Sequence, residues 1–213
     1  MPNKLEREVA GLSTRVDFDI VAENVQEYAK ILDVGCGDGA LLKRLVTSKH
    51  VKARGIEIDE ENVLSCVNKG LSVLQGDIDE GLNEYYKDNS FDYVMALRTV
   101  QAIWNPKKSI DEMLRIGKKV IISFPNFANY KIRFGILFKG RMPKNRVLPY
   151  EWYDTPNIHL LTIMDWLRFC RDNNIKIEKH YYLASLEKRR AFFARIWPNF
   201  FAYYGLYIIS RGS

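Results

Sequence analysis

The chain has 213 residues, 47% hydrophobic and 27% charged, a balance that supports a full apolar core and excludes a disordered or low-complexity chain. The length suits one α/β domain over 1–213 rather than several. A formal net charge of +6 is compatible with an acidic partner surface or with an ordinary soluble enzyme-like domain.

Residues 1–14 are mixed and polar, a loose lead-in. Phe18, Ile20, Val21 and Val25 predict an amphipathic helix over 17–28. Lys30–Val34 reads as an apolar strand. Gly35-Cys36-Gly37-Asp38-Gly39 follows as a turn that opens a helix over 40–48, with Leu41, Leu42, Leu45 and Val46 on one face. Residues 53–58 form a second strand, and Asp59 caps a helix over 60–69. A short third strand, 71–74, ends at Gly76-Asp77. The fourth, 91–97, is apolar enough to be buried on both faces. A helix through 107–116 leads to a fifth strand, 119–124, closed by Pro125. This alternation predicts a doubly wound, Rossmann-like parallel sheet with right-handed crossovers.

After Pro125 the pattern breaks. Residues 126–159 lack a clean period and contain Pro143, Pro149 and Pro156. From Met113 to Tyr150 the chain holds nine basic residues and no acidic one, with Phe127, Tyr130, Phe134, Phe138, Tyr150, Trp152 and Tyr153 interleaved or adjacent. A long irregular insertion in an otherwise regular domain suggests a lid or a contact surface. Its simpler reading is a solvated loop whose rings cover the sheet end. Thr162 to Asp165 then resembles a capping box, and Ile163, Trp166, Leu167 and Cys170 share a helix face. Residues 175–183 alternate as a sixth strand, 185–199 are basic and aromatic, and 202–210 read as a last strand.

Cys36, Cys66 and Cys170 lack metal or redox spacing, and their odd number suits a reducing cytosol. The given sequence shows no basic n-region followed by an apolar h-region, and no apolar run is long enough to span a bilayer. The expected location is the cytoplasm, with no membrane contact and no metal.

Glycines at 35, 37 and 39 let the backbone approach a ligand, and the following helix directs N–H groups and partial positive charge at the turn. Gly35, Gly37 and Ala40 also fit a loose dinucleotide pattern. Asp33 argues against it, since a carboxylate beside the turn would repel a pyrophosphate and attract a ligand with positive charge. Ile31-Leu32-Asp33-Val34-Gly35-Cys36-Gly37-Asp38-Gly39 resembles the first motif of class I S-adenosylmethionine-dependent methyltransferases. That ligand carries an ammonium and a sulfonium. Glu57 ends the second strand and, as a pure acceptor, can take ribose hydroxyls; alone it would read equally as a solvated strand-end charge. In that fold Asp77 accepts from the adenine amine and Ile78 packs on the ring, although Asp77 also reads as a turn residue. Ile58 and Leu97 complete the cofactor set, with Arg98 to Gln101 facing the methionyl end. Asp38 caps the helix, and small size explains Cys36 better than nucleophilicity.

No acceptor-base motif follows the fourth strand. His50 ends a helix and reads as solvated, and His180 lies in a strand and reads as structural. His159 follows the insertion and would face the pocket. Ser123-Phe124-Pro125-Asn126 has no assignable base chemistry.

Gly140-Arg141-Met142-Pro143, Leu148-Pro149-Tyr150-Glu151-Trp152-Tyr153-Asp154-Thr155-Pro156-Asn157-Ile158-His159-Leu160, Ser123-Phe124-Pro125-Asn126-Phe127 and Thr99-Val100-Gln101-Ala102 together resemble the methionine-biosynthesis MetW family. The likeness runs from about Val16 to the last strand. Leu161 stands where the family commonly has cysteine, and Arg98 where it more usually has glutamine. The resemblance implies a class I methyltransferase fold, with a mostly parallel seven-stranded sheet whose last strand is antiparallel. It also implies association with homoserine O-acyltransferase as partner or activator, with no established methyl acceptor. Gln101, Tyr150, Trp152, Tyr153, Asn157 and His159 are the expected substrate or partner contacts. The expected function is an S-adenosylmethionine- or S-adenosylhomocysteine-binding accessory protein. The alternative is an active methyltransferase on a small molecule. RNA binding is not expected, because no nucleic-acid module accompanies the basic aromatic stretch.

Overall fold

Runs of β-branched, aromatic and aliphatic residues bounded by turn formers set the strands: β1 (Lys30–Val34), β2 (Lys52–Glu57), β3 (Val73–Gln75), β4 (Phe91–Leu97), β5 (Gly117–Pro125), β6 (Ile175–Leu183) and β7 (Tyr204–Arg211). A computed structural model describes residues 16–81, 86–145, 148–184 and 193–212. The strands form one seven-stranded sheet in the order β3-β2-β1-β4-β5-β7-β6. β7 runs antiparallel to both neighbours, and β1 to β5 pair in parallel. The expected doubly wound sheet with an antiparallel last strand is therefore present.

The helices are α1 over 16–24, α2 (Ala40–Lys49), α3 (Glu60–Asn68), α4 (Pro106–Ile116), α5 (Tyr130–Lys139) and α6 (Ile163–Asp172). Local chemistry starts several of them. Asp59 accepts from the N–H of Asn62, Asn105 from that of Lys108, and Thr162 and Asp165 cap reciprocally.

The central strands explain themselves. Val120 to Phe124 are all buried. Val120, Ile122 and Phe124 pack into a core with Ile110, Met113 and Trp166, whereas Ile121 turns to the other side with Val21, Leu42 and Leu45. The period of two thus feeds two apolar layers, one on each face of the sheet.

Boundaries differ in small ways. β2 stops at Glu57 and leaves Ile58 outside, β3 starts two residues and ends one residue later than expected, and α1 ends at 24. β7 begins at Tyr204, because residues Pro198–Phe201 form a helical turn that leads into Ala202. The larger correction is in the insertion, which contains α5. Its apolar residues are spread round the helix and only Ile132 is fully buried, so no single stripe marks it in the sequence. Asn129 caps its start and Gly140, at φ 60°, closes it. Of the basic aromatic stretch 185–199, residues 185–192 lie outside the described ones.

Candidate functional site

From β1 the chain moves outward through β2 and β3, then returns to β4 on the other side of β1. Such a reversal opens a crevice at the carboxyl ends of the two strands, the usual ligand position in an open α/β sheet. Thr99 bridges it: its hydroxyl donates to the carbonyl of Val34 at 3.1 Å. The glycines divide their work. A Cβ on Gly35 would lie 2.7 Å from Thr99 Oγ1, and one on Gly39 2.5 Å from Leu71 Cδ1, so those two serve close packing. A Cβ on Gly37 would meet no atom within 4 Å. The turn is open there and only there, which fits a backbone surface offered to a ligand.

Two buried carboxylates flank the turn. Glu57 Oε2 accepts from the N–H of Gly37 at 2.7 Å, and Oε1 accepts from those of Ile58 and Asp59, each at 3.0 Å. A carboxylate offers about four acceptor positions, so a ribose hydroxyl finds one left on Oε2. Taking both hydroxyls requires release of the Gly37 N–H. Asp33 is 3% exposed, and its Oδ1 has no hydrogen-bond partner among the described residues. Burial, and then the nearby charge of Glu57, push its carboxyl up to about 8. This is a site in want of a positive charge. Cys36 is buried against β2, since a Cβ on Gly55 would lie 2.6 Å from its Sγ. Burial pushes its thiol far above the usual range, which fits a packing role.

The remaining expected cofactor residues fall at several depths. Asp38 accepts from the N–H of Ala40 at 3.1 Å and pairs with Lys69 at 2.7 Å, so it braces α2. Ile58 is 64% exposed at the mouth of the crevice. Asp77 accepts from the N–H of Asp79 at 2.9 Å, using one oxygen as a turn cap. Ile78 has joined the core, at 8% exposure. Leu97 is half-buried at the end of β4. Arg98 follows at φ 58°. Its guanidinium pairs with Asp17 at 2.5 Å and lies 4.8 Å above the ring of Tyr204.

Asp17 is a residue that the sequence reading passed over. It is 1% exposed, and burial raises its pKa while Arg98 opposes that shift. The available signal was its spacing: Asp17, Val21 and Val25 lie at i, i+4 and i+8, which puts a carboxylate on the apolar stripe of α1. Ser123 is likewise buried with no partner for its hydroxyl among the described residues, at the end of β5.

The six expected substrate or partner contacts separate into two groups. Gln101 is buried, and its carbonyl accepts from the N–H groups of Ile158 and His159 at 2.8 and 2.9 Å. His159 Nε2 lies 3.3 Å from the carbonyl of Trp104. Thus the tail of the insertion, at Ile158 and His159, is held on the segment after β4. Tyr150, Trp152 and Tyr153 are instead exposed on the outer side, the last two at 73% and 71%. Tyr150, Trp152 and Asn157 line a separate cavity of about 550 Å³ with Phe127, Met142 and Leu160. His50 caps α2 and stacks on Tyr28, and His180 sits 4.9 Å from the ring of Tyr182.

A sequence model of the methionine biosynthesis protein MetW matches residues 15–209. The bifunctional methionine biosynthesis protein MetXA/MetW of Rhodopirellula baltica is 33% identical over 181 residues, which are 80% of this chain and 29% of that protein. The chain spans about a third of the length of the curated relatives it matches. Among solved structures, a chain from the complex between the Haloferax volcanii Trm112 methyltransferase activator and a methyltransferase superposes with a TM-score of 0.68, at 16% identity and full coverage of both chains. The [4+2]-cyclase SpnF superposes with a TM-score of 0.63 at 15% identity, covering 92% of this chain and 80% of its own. These likenesses place the sheet among class I methyltransferase folds, and a cyclase among them shows that the fold alone does not fix the chemistry. With the family pattern matched across nearly its whole length, the chain belongs to the MetW family of methionine biosynthesis proteins.

Proposed function

We propose that this chain binds S-adenosylmethionine, or S-adenosylhomocysteine, and acts in the cytoplasm as an accessory, activating partner of homoserine O-acyltransferase. One observation carries the reading. The crevice at the β1 and β4 ends pairs a glycine turn with two buried carboxylates, and among the described residues no histidine is hydrogen-bonded to Asp33 or Glu57. In the MetXA/MetW relative, both names belong to one chain.

The residues present fit the cofactor. Asp33, buried and lacking a donor on Oδ1, would face its ammonium. Glu57 would take a ribose hydroxyl on the free position of Oε2, Asp77 the adenine amine on its remaining oxygen, and the open backbone at Gly37 the close approach. Ile58 would cover the mouth. When bound, the cofactor supplies a positively charged, methyl-bearing sulfur. The chain itself would hold that charge in an acidic crevice between two buried carboxylates.

The test is co-purification with homoserine O-acyltransferase of the same organism, followed by acylation assays with and without S-adenosylmethionine. A complex whose acylation rate responds to the cofactor supports the proposal. Two proteins that neither associate nor affect each other's rate overturn it. Glu57→Ala should abolish calorimetric binding of the cofactor, and Asp33→Asn should weaken it by at least about tenfold.

A second reading is favoured by Gln101 Oε1 and Ser123 Oγ, both buried without partners among the described residues. Those atoms would orient a small methyl acceptor near His159. Release of S-adenosylhomocysteine on adding a small-molecule acceptor, lost in Glu57→Ala, would establish a methyltransferase.

A further inference from the structure

α5 breaks the ordinary rule for a surface helix, because it turns apolar residues outward. Leu137 is 71% and Phe138 78% exposed, with Phe134 at 46%. The described part of the C-terminal segment does the same, with Ile196 at 59% and Trp197 at 68%. Ring contacts join the two into one ridge. Trp197 meets Phe200 at 6.4 Å, Phe200 meets Phe134 at 6.2 Å, and Phe134 stacks on Phe138 at 5.9 Å. The scaffold beneath is fixed. Asn126 donates to the carbonyls of Asn199 and Ala202, and Asn129 to those of Phe201 and Ala202. A contiguous, immobilised apolar ridge of this kind marks an interaction surface.

Its rim is cationic. Lys131, Arg133 and Lys139 lie on α5, Arg141 just after it and Arg195 beside Trp197, the Arg133 guanidinium sits 5.7 Å over the Phe200 ring, and neither α5 nor residues 193–201 contain a carboxylate. α5 ends at the 550 Å³ cavity that begins at Gly140, so the surface has relief, a ridge beside a hollow. Relief suits a folded partner better than a bilayer. Within that hollow Glu151 neutralises Lys144 at 2.6 Å, and exposed Asp154 stands beside it, so the hollow itself offers anionic lipid no net positive charge.

We infer that the ridge of α5 and residues 193–201, with the adjoining cavity, is the surface that docks the acyltransferase, through an apolar patch on that enzyme ringed by acidic side chains. This rests on the function proposed above, and it deepens it by placing the interface. The location also links interface to cofactor crevice, because the far end of the same insertion is bonded to the carbonyl of Gln101.

The experiment measures binding of purified homoserine O-acyltransferase from the same organism to the full chain and to two variants. Leu137→Asp/Phe138→Asp places charge on the ridge. Leu64→Asp makes the same change at an exposed apolar position of α3, at the opposite edge of the sheet. The ridge variant is expected to bind at least about 30-fold more weakly, Leu64→Asp to bind as the parent does, and both to retain cofactor titration. Parent binding should weaken between 0.15 and 0.5 M salt, as a cationic rim requires. If the parent does not bind the enzyme at all, the proposed function falls and takes this inference with it. Should the parent and the ridge variant bind equally, only the interface assignment is overturned. Two further results would also overturn it: sedimentation of the chain with phosphatidylserine vesicles that the ridge variant abolishes while enzyme binding persists, and a self-dimer that the ridge variant dissociates while enzyme binding persists.

Discussion

Asp33 and Glu57 are both buried at the same crevice, but the backbone treats them differently. Glu57 is held by three N–H groups, so its charge is compensated within the fold. Asp33 lacks a donor on Oδ1, and burial raises its carboxyl to about 8. In the unfolded chain the same group ionises near pH 4. Between those values the folded state holds a proton that the unfolded state has lost, so this residue makes stability fall as pH rises from about 4 to 8, and no further above that. Asp33→Asn should flatten the urea-midpoint profile over that window and stabilise the ligand-free chain at pH 8.5. Cofactor affinity should show the opposite slope, because a cationic ligand needs the ionised form; it should tighten by up to about tenfold per pH unit between pH 6 and 8 in the parent and stay flat in the variant. A parent affinity independent of pH would remove Asp33 from the ammonium site. Both carboxylates were legible in the sequence, because a strand, a turn and a second strand of ordinary length fix Asp33 before the glycines and Glu57 after them. Asp17 and the depth of Ile78 were not. Each depends on which neighbour closes over it, and Arg98 reaches Asp17 from 81 residues away.

At the scale of elements, the central strands could be read because each is a short apolar run between turn formers. α5 could not, because its exposed rings leave no polar face to contrast with an apolar one. What holds it is instead a pair of asparagines without obvious chemistry in the sequence. Asn126 is fully buried, and its side chain serves four backbone groups: the carbonyls of Asn199 and Ala202, and the N–H groups of Ala128 and Ile163. It therefore ties the end of β5 to the start of α6 and to the turn before β7. Asn126→Ala would strand the buried N–H groups of Ala128 and Ile163 and remove a donor from the carbonyl of Asn199, while the carbonyl of Ala202 keeps the Asn129 amide. The expected loss is about 2–4 kcal/mol, a fall of roughly 5–15 °C in Tm for a chain of this size. Cofactor titration at low temperature should be much less affected, since the crevice is built from β1, β2 and β4. If Tm holds, the buried bonds are replaced by other contacts and the ridge is not anchored as described.

The whole molecule sets the glycine-turn crevice, the proposed cofactor site, at the β1 and β4 ends and an aromatic ridge on α5, and the insertion that carries the ridge is bonded to the segment after β4 between Gln101 and residues 158–159. Two sites joined in this way behave as a sensor only if the cofactor binds the free and the complexed chain with different affinity. S-adenosylmethionine is made from methionine, so a feedback role requires it to oppose association with an enzyme that leads toward methionine. The Kd for S-adenosylmethionine should then be about fivefold or more higher in the complex than in the free chain. Linkage demands that saturating cofactor weaken the acyltransferase complex by the same factor. Calorimetry of the cofactor with and without the enzyme, and of the enzyme with and without the cofactor, measures both sides of that cycle. Equal affinities in both would leave the chain an accessory protein whose cofactor is structural, and would exclude sensing through the Gln101 contact.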